Sequence, residues 1–434
     1  MPRTIFITIA FMLATASAQA DATFRGDLAH SGVYAGSAIA AAPKLAWQFH
    51  GKGRFIASPA LSGGVVYDGA TDGFLYAVDA ASGALKWKFR TGARITASPA
   101  VALGAVYTES YDGNLYAVDA VRGTLKWKFA TGGERRFAAK HLHGMLPETE
   151  TMPDPFDFYL SSPAVSGGTV FFGSGDGDVY ALDAVSGALK WKFATGDVVH
   201  ASPALADGTL YIGSWDTYFY ALDSATGKEK WRFKTGDDAQ NHNQTGIQSS
   251  AAVVDGAVYF GCRDSNLYAL DAATGAKLWA YNNKGSWVIA SPAVKDGKVY
   301  ASTADTGRFF VLDAKTGAEL FALDFKHWPM FSSPALAGGT AYIGSHSGKL
   351  LAIDLADKKL AWEFQTDGAR AAPASDTAAD GTPNYDAVFS ENFYDDIVAG
   401  TDHLMRRAIL SSPVVGDGKV IFGSNDGNLY AVEG

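Results

Sequence analysis

The sequence has almost no cysteine and no long apolar segment. Cys262 is the one cysteine among 434 residues, so an internal disulfide is excluded and Cys262 is expected to be a small buried residue in a strand. No stretch after the N-terminal segment reaches the roughly 18 apolar residues that a membrane-spanning helix needs. The formal net charge of −9 disfavours nucleic acid and anionic lipid surfaces. We therefore expect no nucleic-acid partner and no membrane anchor.

The first 20 residues have the pattern of a signal peptide. Arg3 precedes a short apolar run over residues 5–14, and the letters A-Q-A at 18–20 form a small-residue cleavage site. Residues 1–20 are therefore predicted to be removed, so that the mature chain begins near Asp21. This predicts a periplasmic protein, which we expect to be a monomer, with a lead-in over residues 21–43.

An internal repeat of about 40 residues dominates the remainder of the chain. Its unit is Ala-x-Asp-x-x-x-Gly-x-x-x-Trp, as in Ala77, Asp79, Gly83 and Trp87. Two copies are degenerate, since Phe321 replaces the tryptophan in one and Lys358 replaces the glycine in the other. A second signature, Ser-Pro with one Ser-Ala variant, precedes each copy, and its eight serines are Ser58, Ser98, Ser162, Ser202, Ser250, Ser291, Ser333 and Ser412.

Each copy contains four short strand-like runs separated by Gly-Gly, Asp-Gly or Ser-Gly turns, which is the pattern of a propeller blade. The sequence thus predicts an all-β, eight-bladed β-propeller of four-stranded antiparallel blades over residues 44–434. The last copy has no tryptophan strand, and residues 45–49 contain an extra one. We expect this N-terminal strand to complete the C-terminal blade, because an open ring would leave sheet edges exposed.

Most tryptophans are explained by the repeat as structural docking residues. An outer-strand indole needs a flat apolar wall and an acceptor for its N–H. The small alanine of the repeat would admit the ring, and the glycine would form the turn. The tryptophans with this predicted role are Trp47, Trp87, Trp127, Trp191, Trp231, Trp279 and Trp362.

This repeat resembles the tryptophan-docking repeat of pyrroloquinoline-quinone (PQQ) proteins, and residues 24–27 and 30–32 resemble the lead-in of many secreted members. The family includes eight-bladed quinoprotein alcohol dehydrogenases and the propeller lipoprotein of the outer-membrane barrel-assembly machinery. The first relationship implies PQQ with Ca²⁺ or a lanthanide as cofactor. However, this chain lacks the adjacent cysteines that the dehydrogenases typically carry, their usual length and a recognisable set of metal ligands. It also lacks the lipidated cysteine of the assembly protein.

Three insertions interrupt the repeat, at residues 133–160, 237–248 and 367–408. All fall between the outer strand of one blade and the inner strand of the next, so they are predicted to meet around one mouth of the channel. In the first, His141 and His143 are candidate metal ligands, with a solvated loop as the alternative. In the third, Asp395 and Asp396 are candidate catalytic acids or cation ligands, with solvated carboxylates as the alternative.

Off-pattern residues at the same mouth are the candidate cofactor-binding set. Indole rings there would stack a planar ligand, while a guanidinium and an imidazole would hold its carboxylates. The alternative is that these side chains fill the channel. The residues of this set are His200, Trp215, Asp216, Gln248, Arg263, Trp287 and Trp328.

Two functions follow from these observations. In the first, the protein binds a small ligand, PQQ or a related planar acid, at this mouth, and in one version of that hypothesis it is a PQQ-dependent oxidoreductase. In the second, it is a non-catalytic scaffold that binds an envelope protein during outer-membrane assembly. The elaborated mouth favours the first, whereas the regular repeat and modest length favour the second.

Overall fold

The structure is a computed structural model that describes residues 21–39, 42–236, 246–389 and 391–434. The predicted signal peptide and most of the second insertion lie outside the described residues. No helix within the described ranges is both long enough and apolar enough to cross a membrane.

Eight four-stranded antiparallel sheets form the ring of blades, and the predicted eight-bladed propeller is confirmed. Each blade pairs its strands in sequence order from the channel outward, except the last. The strands outside the first insertion are β1 (Lys44–His50); β2 (Ala60–Ser62), β3 (Val65–Gly69), β4 (Phe74–Asp79), β5 (Leu85–Arg90) in blade 1; β6 (Ala100–Ala102), β7 (Ala105–Ser110), β8 (Asn114–Asp119), β9 (Leu125–Ala130) in blade 2; β12 (Ala164–Ser166), β13 (Thr169–Gly173), β14 (Asp178–Asp183), β15 (Leu189–Ala194) in blade 3; β16 (Ala204–Ala206), β17 (Thr209–Gly213), β18 (Tyr218–Asp223), β19 (Glu229–Lys234) in blade 4; β20 (Ala252–Val254), β21 (Ala257–Gly261), β22 (Asn266–Asp271), β23 (Lys277–Asn282) in blade 5; β24 (Ala293–Lys295), β25 (Lys298–Ser302), β26 (Arg308–Asp313), β27 (Glu319–Asp324) in blade 6; β28 (Ala335–Ala337), β29 (Thr340–Gly344), β30 (Lys349–Asp354), β31 (Lys359–Gln365) in blade 7; and β32 (Val414–Gly416), β33 (Lys419–Gly423), β34 (Asn428–Glu433) in blade 8.

The N-terminal strand closes the ring, as the sequence predicted. Strand β1 pairs antiparallel with β34, placing Trp47 opposite Ala431. The outer edge of blade 8 is therefore paired, and the two ends of the propeller domain are held in one sheet.

The insertions carry the remaining elements. In the first, β10 (Ala138–Lys140) and β11 (Thr151–Pro153) form a two-stranded ribbon around a 3₁₀ turn at Leu142–Gly144. The third contains α1 (Asp367–Ala371), a 3₁₀ turn at Ala374–Asp376, α2 (Tyr385–Val388) and α3 (Tyr394–Met405).

A closed circle of hydrogen bonds surrounds the channel and explains the Ser-Pro signature. The backbone N–H of each signature serine donates to the side-chain oxygen of the serine in the next blade; Ser58, for example, donates to Ser98 at 2.9 Å. The eighth bond, from Ser412 to Ser58, completes the circle at 2.8 Å. All eight bonds are 2.8–3.0 Å long. Each inner strand is thereby fixed at the same height as its neighbours.

Each docking tryptophan contacts its own blade and also a neighbouring segment, which for most of them is the next blade. Trp87 lies opposite Ala77 within blade 1, where only a small side chain leaves room for the indole. Its Nε1–H donates to the Ala120 carbonyl oxygen of blade 2 at 3.1 Å. A Cβ on Gly123 of that blade would lie 2.6 Å from the indole ring, so the glycine is required for close packing as well as for its positive φ.

The same geometry recurs in the other blades that carry a docking tryptophan, with one variation in blade 7. Trp362 of blade 7 donates to the carbonyl oxygen of Ile39 in the lead-in, in place of a turn carbonyl of the next blade. The acceptors of the other five tryptophans are Ala80 for Trp47, Ala184 for Trp127, Ser224 for Trp191, Ala272 for Trp231 and Ala314 for Trp279.

A second contact, which we call the Asp–Tyr clamp, also joins neighbouring blades. In blade 2 the Tyr116 hydroxyl donates to Asp112 at 2.6 Å, and the same carboxylate accepts from the Gly92 N–H of blade 1 at 2.7 Å. The tyrosine–aspartate pair is present in six blades, as Tyr76–Asp72, Tyr116–Asp112, Tyr180–Asp176, Tyr220–Asp216, Tyr268–Asp264 and Tyr430–Asp426.

The lead-in closes the end of the channel opposite the insertions. It crosses the inner strands, exchanging backbone hydrogen bonds with blades 2, 4, 5, 6 and 7. Arg25 is buried at the centre and donates to the carbonyl oxygens of Pro334, at 2.6 Å, and Pro292, at 3.1 Å. Burial lowers the pKa of Arg25 to about 10, so it remains a cation at neutral pH.

Candidate functional site

The first and third insertions form a single cap over one mouth of the channel. The backbone N–H of Leu146 donates to the Asn392 carbonyl oxygen, and the N–H of Tyr394 donates to the carbonyl oxygen of Leu146. The Tyr394 hydroxyl, at the start of α3, also donates to the Pro153 carbonyl oxygen at 2.7 Å. The prediction that the insertions gather at one face therefore holds for these two.

Arg263 lies at the centre beneath this cap and is fully buried. Its Nη1 donates to Asp154 of the first insertion at 2.7 Å, and its Nε and Nη2 donate to the Gln248 side-chain oxygen at 3.2 and 3.0 Å. The guanidinium carbon also lies 4.4 Å from the ring centre of Trp215 and 4.3 Å from that of Trp287. Cation–π contacts of this kind are strong where water is excluded.

Asp154 is held as an anion by its neighbours. Burial would raise its pKa, but Arg263 and His143, with the Phe156 N–H, hold that pKa below its usual range. His143 lies 3.2 Å from the carboxylate, and its ring contacts that of Trp287 at 5.0 Å. Asp154 of the first insertion is thus bound to Arg263 in the channel wall.

His200 forms a second buried ion cluster nearby. Its Nδ1 lies 2.7 Å from Asp157 and its Nε2 lies 2.7 Å from Glu134, both residues of the first insertion. Burial alone lowers the pKa of His200, but the two carboxylates raise it to about 10. Beside it, burial and then the charge of Glu134 raise the pKa of Glu109 well above its usual value.

Five of the seven predicted cofactor-binding residues therefore lie beneath the cap, and residues of the first insertion contact all five: His200, Trp215, Gln248, Arg263 and Trp287. Phe137 stacks on Trp215 at 4.5 Å between ring centres and 7° between planes, while Arg263 contacts both indoles. The central cavity between the serine circle and the cap measures only about 40 Å³, far below the roughly 300 Å³ at which small-molecule sites begin. As arranged, these residues do not fit PQQ, because its place against the indoles is taken by the chain's own side chains.

The other predicted site residues lie elsewhere. Asp216 belongs to an Asp–Tyr clamp and accepts from the Gly196 N–H at 2.7 Å. Trp328 lies farther out, between Arg407 and the Gly381 carbonyl oxygen. Asp395 and Asp396 are in the first turn of α3, where carboxylates favour the helix N-terminus.

The two candidate metal ligands have separate partners. His141 is half exposed and lies 3.8 Å from Glu148, whereas His143 contacts Asp154. Within the described part of the chain, no group of three or more histidine, cysteine, aspartate or glutamate residues could hold a metal ion.

A larger cavity at this mouth, the arginine pocket, was missed by the sequence analysis. It measures about 320 Å³ and lies between the cap and blades 8, 1 and 2. Three arginines contribute to its wall, Arg54, Arg94 and Arg136. Asp402 of α3 is the single carboxylate among its lining residues, and it pairs with Arg54 at 2.7 Å.

The other two arginines of the pocket have no anionic partner among the residues that the structure describes. Arg94 lies over the ring of Tyr111, with its guanidinium carbon 3.9 Å from the ring centre. Arg136 forms no ion pair with any residue that the structure describes. Burial raises the pKa of the Tyr111 hydroxyl to about 12, so that group stays neutral. The pocket therefore carries an excess of positive charge on a protein whose net charge is negative.

The arginine pocket also contains buried polar atoms that lack hydrogen bonds. They are the side-chain oxygens of Thr96, Thr401 and Asn425, none of which has a partner among the described residues. Buried polar atoms are normally paired, so these three indicate a site for a ligand or ordered water. Apolar side chains complete the wall, from Ile56, Phe158, Val398, Met405 and Leu410.

One signal in the sequence was sufficient to find this pocket. Arg54 and Arg94 stand four residues before Ser58 and Ser98, the position that Trp287 holds relative to Ser291. Neither arginine was among the predicted site residues, although Trp287 was. The approach of Asp402 depends on α3 and has no comparable signal.

Comparisons with known proteins agree on the architecture. A family described as outer membrane protein assembly factor BamB matches residues 36–144, 157–286 and 267–434. No curated protein sequence matches the chain.

Solved structures similar to the chain come from both branches of the predicted resemblance. BamB from Moraxella catarrhalis is 18% identical with a TM-score of 0.64, covering 91% of this chain and 98% of its own. A europium-containing methanol dehydrogenase is 15% identical with a TM-score of 0.68, covering 94% and 96%. The quinohemoprotein alcohol dehydrogenase from Comamonas testosteroni is 15% identical with a TM-score of 0.69, covering 94% and 80%. At these identities the similarity shows the shared propeller fold.

Proposed function

The chain belongs to the family described as outer membrane protein assembly factor BamB, and from that premise we propose that it is a non-catalytic propeller of the cell envelope that binds a small organic anion in the arginine pocket. The observation that carries the proposal is a combination of groups around one cavity of about 320 Å³. Within the described ranges of the chain, Arg94 and Arg136 are not paired with an anion, and three buried oxygens have no hydrogen bond. A cavity of that size is in the range of small-molecule sites.

The lining indicates the chemistry of the ligand. Guanidinium groups bind carboxylates and phosphates with paired hydrogen bonds, so we expect an anionic group beside Arg94 and Arg136. The hydroxyls of Thr96 and Thr401 would serve as donors or acceptors to it. The apolar wall, which includes Phe158 and Leu410, favours a carbon skeleton over inorganic phosphate alone.

The test is the thermal stability of the purified protein with citrate, phthalate, inorganic phosphate, and PQQ with Ca²⁺ or La³⁺. A ligand at 100 times its Kd stabilises the folded state by about 2.7 kcal/mol. The organic anions are expected to raise the Tm by about 3 °C in a chain of this length. If none of the organic anions changes the Tm or binds by calorimetry, the proposal is wrong.

Matched variants make the test specific. Arg94→Met and Arg136→Met are expected to weaken binding at least tenfold. Arg122→Met is the control, because Arg122 lies on an exposed turn of blade 2 and its side chain is 76% exposed. Equal binding by all three variants would show that the anion binds elsewhere.

A second candidate function is scaffolding in outer-membrane protein assembly, which the family match favours. On this hypothesis the propeller binds an envelope protein and the cap serves as a contact surface. Crosslinking in envelope extracts, with a version lacking residues 367–408 as the comparison, would identify such a partner. Failure to recover any specific protein would count against scaffolding without affecting the ligand hypothesis.

A quinoprotein activity is the least supported of the three. It requires PQQ to displace Phe137 from Trp215 or to bind in the arginine pocket, and the described residues contain no recognisable metal-ligand group. An absorbance change on addition of PQQ that is lost in the double variant Arg263→Ala, Trp287→Ala would support a quinoprotein activity at the central site. A change lost in Arg94→Met would instead assign PQQ to the arginine pocket.

A further inference from the structure

We propose that the junction of blades 6 and 7 contains a separate binding site for an aromatic carboxylate. The proposal does not depend on the function proposed above, since the site is formed by different blades. It begins from the Asp–Tyr clamp, which fills the space between neighbouring blades in six places and is missing from blade 7.

Blade 7 has lost both members of the clamp. By register, Ser347 stands where the aspartate occurs in other blades, and Leu351 stands where the tyrosine occurs. On the facing blade, Lys326 occupies the position of the clamped glycine; its N–H donates instead to Asp324 at 2.7 Å. The ring, its hydroxyl and the carboxylate are therefore all absent from this junction.

A cavity of about 580 Å³ lies at the place that the clamp would fill. Ser347 and Leu351 are part of its wall, together with Leu323, Phe325 and Trp328. The third insertion covers it, since the Lys326 ammonium donates to the Asp380 carbonyl oxygen and the Trp328 indole donates to that of Gly381. The cavity is therefore a roofed pocket with an aromatic and aliphatic wall.

Arg407 supplies a positive charge to this pocket. Its side chain is only 7% exposed, and its guanidinium carbon lies 4.8 Å from the ring centre of Trp328. Asp376 is 3.5 Å from its Nη2, beyond a good hydrogen bond. Both Nε and Nη2 are buried without a hydrogen bond to any residue in the described ranges.

The other charges of the pocket are largely balanced. Lys349 pairs with Glu363 at 2.7 Å. Lys326 and Asp324 add one charge of each sign to the wall, although the contact between them is from the Lys326 backbone N–H to the carboxylate. Arg407 is thus the group with donors to spare. A buried guanidinium with free donors favours a carboxylate, and the space left by the tyrosine favours an aromatic ring, so the pocket matches a ligand that carries both.

Blade 6 provides an internal control for this reasoning. It also lacks the clamp, with Thr306 and Phe310 at the two positions. Phe310 retains the ring, however, and packs against Tyr281 of blade 5 at 5.3 Å between centres. Loss of the carboxylate alone therefore leaves the junction filled, whereas exchange of the ring for Leu351 opens it.

Restoring the clamp tests the proposal directly. Binding of indole-3-acetate and 4-hydroxybenzoate to the full mature chain would be measured by calorimetry and by the change in tryptophan fluorescence. The double variant Ser347→Asp, Leu351→Tyr is expected to raise the Tm and to weaken binding at least tenfold. The matched control Thr306→Asp, Phe310→Tyr is expected to leave binding unchanged.

A second variant keeps the test valid if the filled pocket fails to fold. Arg407→Gln is expected to abolish the preference for indole-3-acetate over its uncharged alcohol, indole-3-ethanol, while binding of the alcohol is kept. The proposal is overturned if neither acid binds the wild-type chain, if the clamp-restored variant binds them equally, or if Arg407→Gln retains the preference for the acid.

Discussion

Replacement of Arg263 by methionine is the sharpest test of how the first insertion is fastened to the propeller. The substitution keeps an unbranched apolar stem but removes the charge and the donors. Asp154 then stays buried, and His143, 3.2 Å away, is its remaining side-chain partner. The contacts of the guanidinium with Trp215 and Trp287 are also lost.

The expected cost follows from this geometry. Removal of one partner from a buried ion pair costs about 3–5 kcal/mol, because the remaining charge is uncompensated. Since Asp154 keeps His143 and the Phe156 N–H, we expect about 4 kcal/mol. With an unfolding entropy of about 2.1 cal/mol/K per residue, a chain of 434 residues would lose about 4 °C in Tm.

The assay is unfolding in urea and by heat of the wild type, Arg263→Met, Asp154→Asn and the double variant. The double variant leaves no unpaired charge, so it is expected to recover about 2 kcal/mol relative to the sum of the single changes. Arg122→Met is the control and should change stability by less than about 0.5 kcal/mol, because its ion pair is exposed. A cost below about 1 kcal/mol for Arg263→Met, or additive costs in the double variant, would refute the reasoning.

Three further predictions concern the ring and its cap. Gly123→Ala is expected to destabilise the protein by about 2 kcal/mol more than Gly104→Ala in urea unfolding. Both glycines have positive φ, but only a Cβ at Gly123 would contact Trp87. Equal costs of the two substitutions would contradict the docking role. The pKa of His200 is raised to about 10 in the fold, so its ion pairs contribute stability that is complete below about pH 6.5 and lost as the pH rises through about 10. The free energy of unfolding of His200→Gln should therefore fall less between about pH 6 and 10 than that of the wild type. An unchanged pH dependence in the variant would exclude this role. Ser98→Ala should cost about 1 kcal/mol by removing one acceptor from the serine circle, and a neutral result in urea unfolding would show that the circle does not stabilise the ring.

Much of the candidate site was predictable in its membership but not in its pairing. Arg263 and His200 were recognised because they depart from the repeat at the mouth. Asp154 and Asp157 were visible in the first insertion, yet nothing in the sequence links them to those two residues. Ion pairs between an irregular loop and a distant blade depend on the path of the loop, which no local pattern specifies.

The arginine pocket and the blade 6–7 pocket illustrate two different limits. Arg94 was detectable, since it stands at a position that is off-pattern in other blades as well. Leu351 was visible as a departure from the tyrosine of the repeat. Whether this departure opens a cavity depends on the facing Lys326 and on the insertion that covers the junction. A substitution alone does not reveal whether neighbouring groups fill the space that it leaves.

By itself the sequence determined the number of blades, the order of their strands, the closure by β1 and the face that carries the insertions. Those properties are repeated every blade, so that local turn chemistry and alternation specify each copy independently. Only the tertiary structure decided that Trp87 docks on the next blade and that the Ser-Pro serines form a closed circle. It also decided that the cap fills the mouth of the channel that it covers. These contacts join residues far apart in the chain, and whether they form depends on the space between packed elements rather than on either segment alone.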